Sequence, residues 1–118
     1  MPIEIVIEKL PTLQIVSLRG RLDSAGTPTL RNSLEELVQS GEKRVVFDCA
    51  ELRYVSSVGL GVFVTSAKAL GAAGGKLYFA SLSQHVRSVF EMVGFLGIFE
   101  VYPSVESAIE SLQRQDPG

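Results

Sequence analysis

The feature that most limits what this chain can fold into is a nearly all-apolar run, Arg44-Val45-Val46-Phe47-Asp48-Cys49. It leads through Tyr54-Val55-Ser56-Ser57 into a second apolar segment, Val58 to Leu70. A short continuous run of β-branched and aromatic residues suits a strand inside a sheet whose face is covered by helices. The segment after it has helical spacing, with Leu60, Phe63, Val64, Ala67 and Leu70 on one face. Two adjacent serines therefore sit where a loop becomes a helix. A serine there is a good N-cap, because its hydroxyl accepts a hydrogen bond from a free N–H of the first turn. A helix start also presents unpaired N–H groups and the positive end of the dipole, so a phosphoryl group on Ser56 or Ser57 is compatible with a folded domain. Two readings of the serines stand at this point: caps alone, or caps beside a modification site.

The segments on either side fit a strand–helix–strand plan. Ile3, Ile5 and Ile7 alternate with polar positions and predict a strand with one buried face, and Leu13 to Leu18 alternates again after a turn at Pro11-Thr12, giving an antiparallel hairpin. Thr27-Pro28 reads as a helix start with Thr27 as cap, Leu30, Leu34, Leu37 and Val38 as its buried face, and Gly41 as its stop. A strand, a helix and the strand from Arg44 make a right-handed crossover with parallel strands. Asp23 follows the first of these strands and the serines follow the second, so both should open on the carboxyl edge of the sheet, where partners bind in parallel-sheet proteins. Lys76 to Ala80 predicts a further strand. Ser83 caps a helix with Val86, Val89, Phe90 and Val93 inward and Gly94 as its stop. Leu96 to Val101 predicts a last strand, and Ser104 opens a closing helix that buries Val105, Ala108, Ile109 and Leu112. The expected architecture is one α/β domain over residues 1–113, with a mixed, mostly parallel sheet of about five strands and about four helices, and a polar tail at 114–118.

The helix after the serines lacks the polar outer face of an ordinary surface helix. Val58, Val62, Thr65 and Ala69 share the face opposite the core stripe, and Lys68 is the one charge before Gly71. Either the helix is buried on both sides or this stripe is a binding surface headed by Ser57. The second is the reading adopted. Asp23 stands between bracing its own loop and contacting a partner.

Composition excludes several classes of function. At 118 residues, 46% hydrophobic and 20% charged, the chain has the make-up of one folded domain. A net charge of −2 argues against a general nucleic-acid or anionic-membrane surface. No apolar run has the length of a membrane span and the start does not resemble a signal peptide, so a cytoplasmic location is expected. The single Cys49 excludes an internal disulfide. No cluster of His, Cys and acids has metal-ligand spacing, and no cofactor is expected. Gly59-Leu60-Gly61 and Gly71 to Gly75 lack the Lys-Ser or Lys-Thr of a phosphate loop. A serine hydrolase elbow needs a glycine two residues before the nucleophile, where Val55 stands, and the only histidine, His85, begins a different helix. No catalytic residues are assigned.

Tyr54-Val55-Ser56-Ser57-Val58-Gly59-Leu60 resembles the phosphorylation loop of STAS domains, in particular those of anti-sigma factor antagonists. The likeness continues at Leu18-Arg19-Gly20-Arg21-Leu22-Asp23, Val45-Val46-Phe47-Asp48, Val89-Phe90-Glu91-Met92-Val93-Gly94-Phe95 and Tyr102-Pro103-Ser104-Val105-Glu106-Ser107-Ala108. Many members read Asp-Ser-Ser-Gly in the loop and carry the phosphate on the first serine. Aligned on Gly59, Ser57 takes the acceptor position, and Ser56 replaces the acid and becomes the second candidate. The resemblance implies binding to an anti-sigma factor that is also a serine kinase, release of a sigma factor, and a separate phosphatase for reset. Partner contacts are expected at Asp23, Ser56, Val58, Gly59, Val62, Thr65 and Ala69. STAS domains that serve without phosphorylation, as scaffolds or subunits of a signalling complex or lipid transporter, are the alternative, and a serine hydrolase with Ser57 as nucleophile is the remote one.

Overall fold

Alternation along the strands decides which helix covers which face of the sheet. A computed structural model describes residues 3–115. In chain order it holds β1 (Glu4–Lys9), β2 (Gln14–Leu22), α1 (Thr27–Gln39), β3 (Arg44–Val55), α2 (Ser57–Ala72), β4 (Lys76–Ala80), α3 (Gln84–Met92), a 3-10 turn at Phe95–Gly97, β5 (Glu100–Tyr102) and α4 (Val105–Gln115). The strands lie in the order β1-β2-β3-β4-β5, with β1 antiparallel to β2 and every other pair parallel. This is the expected mixed sheet with an N-terminal hairpin and four helices.

Val16, Leu18, Val45, Phe47, Leu77 and Phe79 point to one face, where they pack with Leu30 and Leu34 of α1, Phe63 and Leu70 of α2, and Val86 and Phe90 of α3. The residues that alternate with them along the strands, Ile15, Val46, Tyr78 and Ala80, point the other way and meet Ala108 and Leu112 of α4. Three helices thus cover one face and a single helix covers the other. All six phenylalanines of the chain join one network on the three-helix side. Phe79 sits at its middle, with ring centroids 5.0 Å from Phe63, 5.0 Å from Phe90, 5.1 Å from Phe99 and 5.5 Å from Phe47, mostly tilted or edge-on. Such pairs add about 0.5–1.5 kcal/mol each beyond their area burial.

Several expectations are corrected. The buried face of β1 is incomplete: Ile3 is buried and Ile5 half-buried, but Ile7 is 38% exposed. β1 is the sheet edge; Ile3, just before it, lies against Gly26 at the start of α1, and Ile5 packs on the same core. The cap of α1 is Gly26 rather than Thr27; Thr27 is buried inside the helix start, and its hydroxyl donates to the Ser24 carbonyl at 3.1 Å. β3 runs six residues beyond Cys49, as a ribbon paired with β2 alone, through register shifts after Ser17 and Gly20. Val93 is 47% exposed, because α3 stops at Met92 and Gly94 turns the chain at φ +82°. The last strand shrinks to Glu100–Tyr102, since the 3-10 turn carries Phe95 into the aromatic network. Helix α4 continues to Gln115, so residues 114 and 115 belong to it, and Arg114 pairs with Glu110. The remainder of the expected tail lies outside the described residues.

The network makes a stability prediction. Phe79→Ala removes its central ring and should lower the unfolding free energy by about 3–5 kcal/mol in urea titration. A loss below ~1 kcal/mol would mean that the aromatic network does not hold the three helices on the sheet.

Candidate functional site

β2 and β3 end side by side, with Leu22 paired to Val55. The next residue on each chain is Asp23 on one side and Ser56 on the other, so the two sequence candidates open on the same edge. The Ser56 N–H donates to the Leu22 carbonyl at 2.9 Å, which ties the start of α2 to the end of β2. Gly59 completes the junction. A Cβ there would lie 2.9 Å from Leu22 Cγ, 2.9 Å from Val55 Cγ2 and 3.0 Å from the Leu22 carbonyl oxygen, so only glycine lets the helix sit this close. Gly59 is therefore buried packing, with no side chain to offer a partner.

The serines divide the work of the helix start. Ser56 is the N-cap, in extended conformation at φ −83° and ψ 170°, and its hydroxyl accepts the Gly59 N–H at 3.1 Å. Its carbonyl accepts the Leu60 N–H at 2.9 Å. Ser57 is the first helical residue and is exposed, and its hydroxyl has no hydrogen bond among the described residues. Its own N–H and that of Val58 belong to the first turn, where helix amides lack intrahelical partners. An anionic group on Ser57 would thus find open N–H donors and the favourable end of the dipole.

Asp23 is occupied in its own turn. Its carboxylate accepts the Gly26 N–H at 3.1 Å, and its carbonyl accepts the N–H groups of Gly26 and Thr27 at 3.0 and 3.1 Å. Asp48 similarly accepts the Ala50 N–H at 3.1 Å and the Ser17 hydroxyl at 3.4 Å, joining β3 to β2. Cys49 is fully buried, and burial, then the nearby Asp48 carboxylate, push its thiol well above the ordinary range, which makes it inert. Among the described residues no group of three His, Cys, Asp or Glu is placed to hold a metal ion, and no helix is long and apolar enough to cross a membrane.

The proposed stripe on α2 needs one correction. Val58, Thr65 and Ala69 are exposed, but Val62 is 2% exposed and packs in the main core. It lies beside Phe63 at an angle that turns it toward the sheet, and Gly61 takes its place on the outside. The outward ridge therefore reads Ser57, Gly61, Thr65, Ala69, with Val58 at its head. Between this ridge and α1 runs an open groove of about 510 Å³, lined in part by Arg31, Leu34, Glu35 and Val38. Sequence reasoning missed it; the spacing of Arg31 and Glu35, one turn apart on the outer side of α1, was its only trace.

Comparison with known proteins agrees with this arrangement. The STAS domain model matches residues 4–108. The chain is 39% identical over 114 residues to BtrV of Bordetella bronchiseptica, a protein named as an anti-sigma factor antagonist, covering 97% of this chain and 98% of that one. In fold it is similar to an anti-sigma factor antagonist from Mycobacterium paratuberculosis, with a TM-score of 0.85 at 22% identity over 94% of both chains. It is also similar to the phosphorylated form of the Bacillus cell fate determinant SpoIIAA, with a TM-score of 0.74 at 22% identity over 92% of this chain and 99% of that one.

The division between the serines is testable by stability alone. Ser56→Ala should cost about 0.5–2 kcal/mol through loss of the cap. Ser57→Ala, at an exposed position with no bond to lose, should stay within about 0.5 kcal/mol of the parent. Val62→Glu should unfold the chain, since it buries an unpaired carboxylate among apolar side chains. Equal effects of the two alanine variants in thermal melts would contradict the capping assignment, and a folded Val62→Glu would contradict the burial.

Proposed function

The chain belongs to the STAS domain family, and on that premise we propose that it is an anti-sigma factor antagonist switched off by phosphorylation of Ser57. Membership makes it a regulatory domain rather than an enzyme. Its unphosphorylated form binds an anti-sigma factor that is also a serine kinase, and this releases a sigma factor. The kinase transfers a phosphoryl group from ATP to Ser57, and a separate phosphatase restores the free hydroxyl. The observation that carries the reading is the contrast at the helix start: the Ser56 hydroxyl is consumed as a cap, while Ser57 is exposed beside open backbone amides. Ser56 is the second choice of acceptor. Support also comes from the B. bronchiseptica relative, whose name is that of an anti-sigma factor antagonist, and from SpoIIAA, which is known in a phosphorylated form.

The physics of such a switch is local. A phosphoserine carries about −1.5 to −2 charge at neutral pH. The exposed ridge of α2 that begins at Ser57 is uncharged except for Lys68 at its flank. Enclosing the new charge between that ridge and a partner without a matching cation costs several kcal/mol. About 1.4 kcal/mol is a tenfold change in affinity, so this is ample to part the two proteins. Val58, Thr65 and Ala69 are the side chains this reading puts in contact, with Asp23 and Ser56 at the edge; Val62 is excluded by its burial.

Incubation with the purified anti-sigma factor kinase of the same cell and ATP, followed by mass spectrometry of the loop, should find the phosphate on Ser57. The signal should vanish in Ser57→Ala and persist in Ser56→Ala. Ser57→Glu should bind that partner at least about tenfold more weakly than the parent, a loss of roughly 1.4 kcal/mol. Phosphate that moves to Ser56 without loss of rate in Ser57→Ala would overturn the acceptor assignment.

A further inference from the structure

Beyond Cys49, β3 runs beside β2 alone, and two register shifts in that ribbon decide which side chains meet across it. Carried on from the pairing of Gly20 with Leu52, an even register would set Arg21 opposite Arg53, two like charges abreast. The shift after Gly20 passes over Arg53 and pairs Arg21 with Tyr54 instead. Gly20 itself stands at φ +98°, in the left-handed region that glycine adopts without a steric penalty. An extra residue in one strand re-aims the side chains around it, and such bulges recur beside functional sites.

The side chain aimed here is that of Arg21. Its guanidinium carbon lies over the Tyr54 ring, 4.1 Å from the centroid. The ring restrains the cation but brings it no carboxylate or carbonyl. Arg21 is exposed and is in no ion pair within 4 Å among the described residues. The other two arginines of the ribbon are engaged, Arg19 with Glu4 and Arg53 with Glu51, each at 3.7 Å. Both acids on this side of the ribbon thus face an arginine already, and Arg21 is left as the uncompensated charge. Its place is the switch edge: the next cross-strand pair is Leu22 with Val55, which turn inward and are buried, so Arg21 and Tyr54 turn outward. Asp23 and Ser56 follow directly, and Ser57 is three residues beyond Tyr54.

We propose that Arg21, held in place by Tyr54, is the seat for a carboxylate side chain of the anti-sigma factor. The inference rests on the function proposed above and deepens it, since it adds a charged contact to the same edge as Ser57. A carboxylate is the occupant that fits, because a guanidinium presents paired N–H donors that match its two oxygens, and because the unmatched charge on the ribbon is positive. A restrained arginine also loses less freedom when the carboxylate arrives than a mobile one would. The contact ties recognition to the switch. A phosphoryl group on Ser57 shares this edge with the partner's carboxylate, and two like charges brought together there disfavour the complex.

The test measures the affinity of the full chain for the purified anti-sigma factor of the same cell by calorimetry at low and physiological salt, with a thermal melt of every variant. Arg21→Glu should bind at least tenfold more weakly than the parent, and Arg21→Gln several-fold more weakly with a smaller salt dependence, both melting as the parent does. Tyr54→Leu leaves the charge unheld and should also weaken binding, an effect that vanishes in an Arg21→Gln background. Arg114→Gln on α4 removes a like charge elsewhere and should bind as the parent does. Arg21→Lys puts an amine at the seat, and a carbodiimide should then join position 21 through an amide bond to an aspartate or glutamate of the partner, located by mass spectrometry. Normal binding by Arg21→Glu, with Ser57→Glu still weakened, would overturn the seat and leave the switch standing. An amine at position 21 that stays unlinked while other lysines of the complex react would overturn it as well. No binding by the parent chain would overturn both. If phosphorylation of Ser57 raises the melting temperature of the parent but not of Arg21→Gln, while the two unmodified chains bind alike, the anion is the chain's own phosphate and the proposal falls.

Discussion

The contact on which the rest of the site depends is the approach of α2 to the ends of β2 and β3. One hydrogen bond, from the Ser56 N–H to the Leu22 carbonyl at 2.9 Å, fixes the height of the helix above the sheet. The missing side chain at Gly59 fixes its distance, with Leu22 and Val55 filling the space a Cβ would need. Because both strands stop at this level, Asp23, Ser56 and Ser57 are brought to one edge by backbone alone. The capping bond from the Gly59 N–H to Ser56 Oγ then fixes which serine faces inward. Changing any of these parts moves the Ser57 hydroxyl without touching it.

Further along, α2 is held from behind by the aromatic network. Phe63 touches Phe47, Phe79 and Phe90, with centroids 5.0 to 6.0 Å away, and so links the helix to β3, β4 and α3 together. Val62, Ser66 and Leu70 share the buried stripe with Phe63, and the half-buried Leu60, Val64 and Ala67 pack on the core beside it and widen the contact. With so much of its circumference committed to the core, the helix needs no help from its outer ridge to stay in place. Small residues there are affordable because the stability comes from elsewhere.

Much of this was legible in the order of residues. The apolar run from Arg44, the crossover around Leu30, Leu34 and Leu37, and the closing helix with Ala108 and Leu112 follow from periodicity, because each element has one partner surface and the pattern records it. The serine junction was legible for the same reason: strand, Ser-Ser, glycine and helix leave few geometries. Val62 was misplaced because α2 is apolar nearly all round, and periodicity separates faces only where polar residues mark one of them. β3 beyond Cys49 was missed since Glu51 and Arg53 interrupt its apolar run; its pairing depends on β2 and on register shifts that leave no local signal. The groove was invisible because it is made by two helices whose distance apart is a tertiary quantity. Gly61 showed the limit most directly, since a glycine in a sequence does not say whether its space is filled, and here that space is open.

The same division between fold and surface bears on how a charge at Ser57 would act. On the proposed reading the phosphoryl group arrives at an exposed helix N-terminus, where a negative charge is favourable by about 0.3–1 kcal/mol. The domain has no reason to rearrange, as the hydroxyl of Ser57 makes no bond that modification would break. The partner meets the opposite balance. It must enclose nearly two charges against an apolar, small-residue ridge, at a cost of several kcal/mol unless it brings a cation of its own. Discrimination between the two forms then lies in the complex and not in the shape of the free protein. A ligand or modification that leaves the fold unchanged shifts an equilibrium only through its differential contacts, and here those contacts lie at the head of the α2 ridge. Such a switch needs no hinge. What it does need is a rigid ridge on which the charge cannot swing out of the interface, and the Ser56 cap, the Gly59 junction and the phenylalanines behind α2 supply that rigidity.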